Sequence, residues 1–224
     1  MREGSRASSP VSAAEEPIVF VIDDDPLTLG ALSSLFRSVG LRVEAFESAT
    51  ELLQHQLPAV PSCLVLDIRL PRLSGFDLQA ELGRLGIKIP VIFITGHGDI
   101  PMSVKAMKAG AIDFLTKPYR EQDILDAVRA ALERDRKRRE DEMSALDLRT
   151  RFETLSKREQ EIMGLVTRGL MNKQVAAEAG ISETTVKIYR GNVMQKMRAG
   201  SFAELIRMTD TLQIRQAKSK ADST

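Results

Sequence analysis

Five short and almost wholly apolar runs recur between residues 18 and 115, and they limit the fold more than any other feature. The first is Ile18-Val19-Phe20-Val21-Ile22, and the third is Cys63-Leu64-Val65-Leu66 ahead of Asp67. Neither alternates apolar with polar, as a strand with one wet face would. A strand apolar on both sides must be covered on both sides, and that is the habit of a parallel sheet between two helical layers. Strands are expected over roughly 18–22, 42–46, 62–66, 90–94 and 112–115. Helical patterns lie between them, at about 26–38, 48–55, 74–84 and 100–109, and again from 121 onward. Five strand–helix repeats predict an α/β fold: a doubly wound, five-stranded parallel sheet.

In such sheets ligands gather at the carboxyl ends of the strands, where the winding reverses. Asp23 and Asp24 follow the first run, and Asp67 ends the third. Thr95 closes the fourth, in Ile94-Thr95-Gly96-His97-Gly98-Asp99. Lys117 follows the fifth, ahead of Pro118, which permits a cis bond there. Clustered carboxylates repel one another, and a hard divalent cation with oxygen ligands offsets this. Mg²⁺ suits a site that also takes phosphate oxygens. A hydroxyl and an ammonium could then contact the same phosphate. Taken singly, each piece has a plainer reading: an aspartate after a strand is often a helix cap, and a lysine before proline is often a solvated loop residue. Asp25, with Pro26 at the first helical position, reads as such a cap. His97, between glycines, reads as a surface residue. His55 ends a helix, where an imidazole suits the negative end of the dipole.

The matching pieces here are Asp23-Asp24, Leu66-Asp67 with Leu70-Pro71 and Ser74-Gly75, Ile94-Thr95-Gly96-His97-Gly98-Asp99, Lys105-Ala106-Met107-Lys108-Ala109-Gly110-Ala111, and Phe114 with Lys117-Pro118. In these, residues 17–121 resemble the receiver domain of bacterial two-component response regulators, which is flavodoxin-like. The resemblance implies that Asp67 is the phosphoacceptor. It implies Mg²⁺ held by Asp24, Asp67 and the Arg69 carbonyl, with Asp23 acting largely through water. Thr95 and Phe114 would be a switch pair, and Lys117 would hold the phosphoryl group.

No glycine or proline occurs from Tyr119 to Met163. Ile124, Leu125, Val128, Ala131 and Leu132 form a helical stripe, and residues 133–142 are all charged. A helical linker over 122–154, continuing the last receiver helix, is expected, with a solvated charged stretch and i,i+4 pairs Glu133/Lys137 and Asp135/Arg139. Met143, Leu146 and Phe152 leave self-pairing of this helix open.

Residues 155–215 read as a small all-α domain. Ser156-Lys157-Arg158-Glu159 is a capping box opening the first helix, and Gly169 ends it. A second helix is expected over 172–179, closed by Gly180. The third, capped by Ser182, carries Val186, Tyr189, Val193 and Met197 on one side. Thr184, Lys187, Ile188, Gly191 and Gln195 lie on the other. A fourth runs from about Phe202 to Ile214. Spacing alone leaves two readings: a helix-turn-helix, or a helical bundle that binds protein. Charge is unevenly spread, with a modest basic excess at this end. Residues 17–121 carry ten Lys and Arg against twelve Asp and Glu, whereas residues 156–224 carry twelve against seven.

Leu155-Ser156-Lys157-Arg158-Glu159, Gly169-Leu170-Met171-Asn172-Lys173-Gln174-Val175-Ala176 and Ile181-Ser182-Glu183-Thr184-Thr185-Val186-Lys187 resemble the LuxR-type DNA-binding domain. The whole chain thus resembles a FixJ/NarL-class response regulator. This implies a recognition helix from Glu183 to Met197, with Lys187 and Ile188 toward the bases and Thr184 also among the DNA-binding residues. Lys173, Arg190, Asn192 and Lys196 are candidates for phosphate contacts. Tyr189 stands where the family often has His. Gly191 stands where a longer polar side chain is common, at a cost of roughly 1 kcal/mol against alanine in a helix.

The resemblance implies a transcription regulator, not an enzyme. Its partners would be a sensor histidine kinase, promoter DNA and RNA polymerase, and it would dimerise on phosphorylation, with activation the expected sense. Two other classes answer to parts of the pattern. An Mg²⁺-dependent phosphatase would need a second acid near the nucleophile, which Asp67-Ile68-Arg69 lacks. A phosphorylation-independent DNA-binding or scaffold protein would treat the acids as relics. A lone Cys63 in an apolar strand reads as a buried thiol, no apolar run is long enough to span a bilayer, and residues 1–16 have no apolar core to act as a signal peptide. A cytoplasmic protein is therefore expected, with disordered tails at 1–16 and 216–224.

Overall fold

The computed structural model describes residues 16–212, so the tails expected at 1–16 and 216–224 lie outside the described residues but for Glu16. Five strands alternate with five helices in the first part: β1 (Ile18–Ile22), α1 (Pro26–Ser38), β2 (Arg42–Phe46), α2 (Ala49–Gln54), β3 (Ser62–Asp67), α3 (Gly75–Arg84), β4 (Val91–Thr95), α4 (Ile100–Lys108), β5 (Asp113–Thr116) and α5 (Glu121–Glu153). All strand pairings are parallel, in the order β2-β1-β3-β4-β5. The winding reverses between β1 and β3, so their carboxyl ends open on one crevice.

Burial follows from the apolar runs. Every residue of β1 and β3 is buried. Alternate strand residues point to opposite layers. Val19, Val21, Cys63, Val65, Ile92 and Ile94 pack against α1 and α5, whereas Ile18, Phe20, Ile22, Leu64, Leu66 and Phe93 pack against α2, α3 and α4. Four of these helices start at side-chain caps, of which the sequence suggests the first. Asp25 accepts from the Leu27 N–H with Pro26 next to it, and Ser48, Ser74 and Asp99 cap α2, α3 and α4.

One local expectation gains a second cause and another is revised. His55 does cap α2, but its Nε2 lies 2.9 Å from Glu44 Oε2 and its ring packs on Phe46 and Phe20, so side-chain partners on β1 and β2 hold it. The charged stretch of α5 is not uniformly solvated. Asp135 is wholly buried and accepts the Ser62 N–H at 3.0 Å, Arg138 Nη2 at 2.6 Å and Arg139 Nε at 2.7 Å. It thereby ties α5 to the start of the strand that ends in Asp67. Glu133 pairs with Arg136.

Helix α5 is unbroken from Glu121 to Glu153, because nothing in it interrupts a helix. The chain divides into two units between Arg139 and Glu140. The second unit contains α6 (Lys157–Thr167), α7 (Asn172–Ala179), α8 (Glu183–Met197) and α9 (Phe202–Thr211). Their core includes Ile162, Met163, Val166, Val175, Val186, Val193, Met197 and Leu205. The capping box forms at Ser156 and Glu159, and Gly180 ends α7 in the left-handed region at φ +65°. Ile214, the expected end of α9, lies outside the described residues. Met143 and Leu146 are exposed, while Phe152 packs against the second core.

Candidate functional sites

At the β1–β3 crevice the polar groups stand where strand ends put them. Asp23 is one residue past β1, Asp67 is the last residue of β3, Thr95 the last of β4, and Lys117 one past β5. Asp23 and Asp67 are buried and Asp24 is exposed. Lys117 Nζ lies 2.6 Å from Asp23 Oδ2 and 3.5 Å from Asp67 Oδ1, so a single ammonium spans both acids. The Lys117–Pro118 bond is cis. Backbone donors complete the carboxylates: Asp25 N–H to Asp23 Oδ1 at 3.0 Å, and Arg69 N–H to Asp67 Oδ2 at 2.9 Å.

Burial pushes the Asp67 carboxyl above the ordinary aspartate value, with Lys117 pulling it down and Asp23 pushing it up. Burial alone would lower the Lys117 ammonium, but its hydrogen bond to Asp23 and the charges of Asp23 and Asp67 prevail and raise it. Thr95 is fully buried, and its hydroxyl engages the His97 backbone, 3.3 Å from the N–H and 3.4 Å from the carbonyl. His97 itself is exposed. Phe114 is half-buried at the edge of the core beneath α4.

Two glycines of this site owe their place to clearance, which sequence reasoning had not used. A Cβ on Gly75 would lie 2.6 Å from the Asp67 carbonyl oxygen, and a Cβ on Gly98 would lie 2.9 Å from Phe114 Cε1. The first was legible only as part of the Ser74-Gly75 motif, where Ser74 caps α3. The second depends on Phe114 and Thr116, sixteen and eighteen residues away.

Among the described residues no three His, Cys, Asp or Glu side chains gather into a ready metal cage. The donors present still suit a hard cation. The carboxylates of Asp23, Asp24 and Asp67 are oxygen donors, the donor type that Mg²⁺ takes.

In the second unit, α8 turns Val186, Val193 and Met197 inward and leaves Thr184, Lys187, Ile188, Gly191 and Gln195 exposed. Ile188 is 59% exposed. Lys173 and Asn192 are also exposed. The other two candidate contacts are occupied. Arg190 Nη1 lies 2.6 Å from Asn172 Oδ1 and its guanidinium stacks over the Phe202 ring at 5.2 Å, joining α7, α8 and α9. Lys196 Nζ lies 2.7 Å from Glu159 Oε2. That hydrogen bond, against the opposing effect of burial, holds the Glu159 carboxyl below its ordinary value. Neither tie was legible, since their partners stand 18 and 37 residues away.

Residues 19–129 match the family described as the response regulator receiver domain, and residues 153–209 match bacterial regulatory proteins of the luxR family. Nodulation protein W of Bradyrhizobium diazoefficiens is 64% identical over 202 residues, covering 90% of this chain and 89% of that protein. The chain belongs to the response regulators. This response regulator is also 41% identical to the transcriptional regulatory protein FixJ of Rhizobium meliloti over 190 residues, 85% of this chain and 93% of that one. Among solved structures it is similar to the response regulator StyR, with a TM-score of 0.78 and 47% identity across 87% of this chain and 98% of the other. As a receiver joined to a LuxR-type DNA-binding domain, it is a two-component transcription factor; the family consists of such factors, not enzymes. A receiver implies a histidine kinase partner, and receivers generally bind Mg²⁺ at the phosphorylation site. Among the described residues no helix is long and apolar enough to cross a membrane.

Proposed function

We propose that this response regulator is switched by phosphorylation of Asp67 and, once phosphorylated, dimerises and activates transcription from its promoters in the cytoplasm. The observation that carries the reading is the Lys117 ammonium spanning Asp23 and Asp67 at the strand ends, in a chain that also exposes Thr184, Lys187 and Ile188 on α8.

An Asp67 carboxylate oxygen attacks the phosphorus of the kinase phosphohistidine. The P–N bond breaks, and the imidazole nitrogen leaves with the bonding pair. The Arg69 N–H orients the carboxylate, and Lys117 turns from its carboxylate partners to the equatorial oxygens of the incoming group. Asp24, Asp67 and the Arg69 carbonyl would hold Mg²⁺, with Asp23 acting through water; the ion, when bound, supplies charge neutralisation for the carboxylates and the phosphoryl oxygens.

The product adds about −1.5 to −2 charges at Asp67. The Thr95 hydroxyl then leaves the His97 backbone to donate to a phosphoryl oxygen, and Phe114 moves into the space that Thr95 vacates. This reshapes the face formed by α4, β5 and the first turns of α5, where two copies pair. Paired DNA-binding units then read two half-sites. Thr184, Lys187 and Ile188 face base edges, while Lys173 and Asn192 contact phosphates. Arg190 and Lys196 reach phosphates only by giving up Asn172 and Glu159. Contact with RNA polymerase follows at the promoter.

The test is promoter binding with and without acetyl phosphate and Mg²⁺, for the wild type and Asp67→Asn. Tightening in the wild type alone, abolished by chelating Mg²⁺, is the expected result. Equal binding by both proteins under all conditions would refute control by Asp67.

A further inference from the structure

Loop 96–99, between β4 and α4, contains two glycines in different situations. Around Gly96 there is open space. A Cβ on Gly98 would lie 2.5 Å from Thr116 Cγ2, 2.9 Å from Phe114 Cε1 and 3.2 Å from Phe114 Cζ. Gly98 is not among the positive-φ residues. Its backbone is therefore one that any L-residue adopts, and only the lack of space calls for glycine.

The atoms in the way are side-chain atoms, and the loop is fixed at both ends. On one side the His97 backbone is bonded to the Thr95 hydroxyl. On the other, Asp99 caps α4, its Oδ1 accepting the Met102 N–H at 2.7 Å. Moving the loop would sacrifice the cap, whereas the half-buried Phe114 ring can turn about its own side-chain bonds. Thr95 and Phe114 thus both meet the same short loop.

We infer that Gly98 is a positioning residue that gives the Phe114 ring its resting seat, so that side-chain size at position 98 sets how far the protein is switched on before any phosphate arrives. The inference rests on Thr95 and Phe114 acting as the switch proposed above. A methyl group at position 98 evicts the ring from its seat and so favours the state in which Thr95 has turned aside and the ring occupies the space it leaves.

The test uses the full chain labelled with 4-fluorophenylalanine, the Phe114 ¹⁹F resonance being assigned by its loss in Phe114→Leu. Wild type is recorded first, with and without acetyl phosphate and Mg²⁺. If the Phe114 signal does not move, the switch reading fails, and this inference with it. If it moves, Gly98→Ala is recorded without phosphodonor. The expected result is a Phe114 signal displaced toward the phosphorylated position, with promoter binding tightened about tenfold. A signal at the resting position with unchanged affinity overturns the inference while leaving the switch reading intact. Gly98→Ala with Thr116→Ala removes the Cγ2 contact and keeps the ring contact, so displacement should persist. Return of the signal to rest in that double variant assigns the clash to Thr116 and also overturns the inference.

Discussion

Replacing Asp135 with alanine should destabilise the receiver well beyond what its charged surroundings suggest. Asp135 is fully buried and satisfies the Ser62 N–H, Arg138 and Arg139 together. Removing one partner of a buried ion pair typically costs ~3–5 kcal/mol, chiefly because the other charge is stranded. Here the two arginines keep 27% and 28% of their side-chain surface exposed and can turn to water, which discounts that figure. The group that cannot escape is the buried Ser62 N–H, worth about 1–3 kcal/mol when left unpaired. A loss of about 2–4 kcal/mol is therefore expected for Asp135→Ala. For Asp135→Asn, which keeps an acceptor for Ser62, about 1–2 kcal/mol is expected. Urea unfolding, combined with hydrogen exchange of the peptide containing residues 61–67, measures both. If Asp135→Ala stays within about 0.5 kcal/mol of wild type and exchange at Ser62 is unchanged, the buried tie contributes nothing and the reasoning fails.

Gly75→Ala would place a Cβ 2.6 Å from the Asp67 carbonyl oxygen, a backbone atom that cannot turn aside. Labelling of Asp67 by acetyl phosphate should slow roughly tenfold to a hundredfold, and wild-type labelling in a folded variant would contradict this. The Glu159 carboxyl sits below its ordinary value of 4.5 in the fold, mainly through Lys196. The carboxylate therefore stabilises the DNA-binding unit above that pH, and the contribution is lost as pH falls through and below it. Melting of the second unit at pH 7 and pH 4 should show a drop that Glu159→Gln reduces; equal drops would refute the linkage. Lys196→Met should lower the melting temperature of that unit, a change that a purely phosphate-contacting lysine would not cause. Lys187→Ala should weaken promoter binding by about 1–3 kcal/mol and relax discrimination at one base position. Uniform weakening across sequences would move Lys187 to a phosphate-contacting role.

The strands were legible because a parallel sheet buries both faces, and so writes itself as unbroken apolar runs such as Ile18–Ile22. Helix starts were legible because capping is local: Asp25, Ser156 and Ser182 find their partners within three residues. The acids and lysine of the first site were legible by position at strand ends, since topology alone brings those ends together. What escaped were interactions whose partners are set by tertiary packing. Asp135, amid arginines, has the local pattern of a solvated residue, and only the start of β3, 73 residues away, makes it a buried one. Lys196 and Arg190 read as free cations because nothing near them in sequence announces Glu159 or Asn172. Gly98 and Gly75 escaped because clearance is a property of the neighbour, not of the glycine.

The chain's single cysteine, Cys63, lies sealed in β3 next to Ser62, and burial together with the Asp135 charge raises its thiol above the ordinary value. The thiolate that alkylating reagents need is thus withheld while the sheet is closed. Modification must wait for β3 to open, so at high reagent concentration its rate counts openings of the strand that ends in Asp67. The protein thus contains its own stopwatch for the opening of β3, readable by mass with no label introduced.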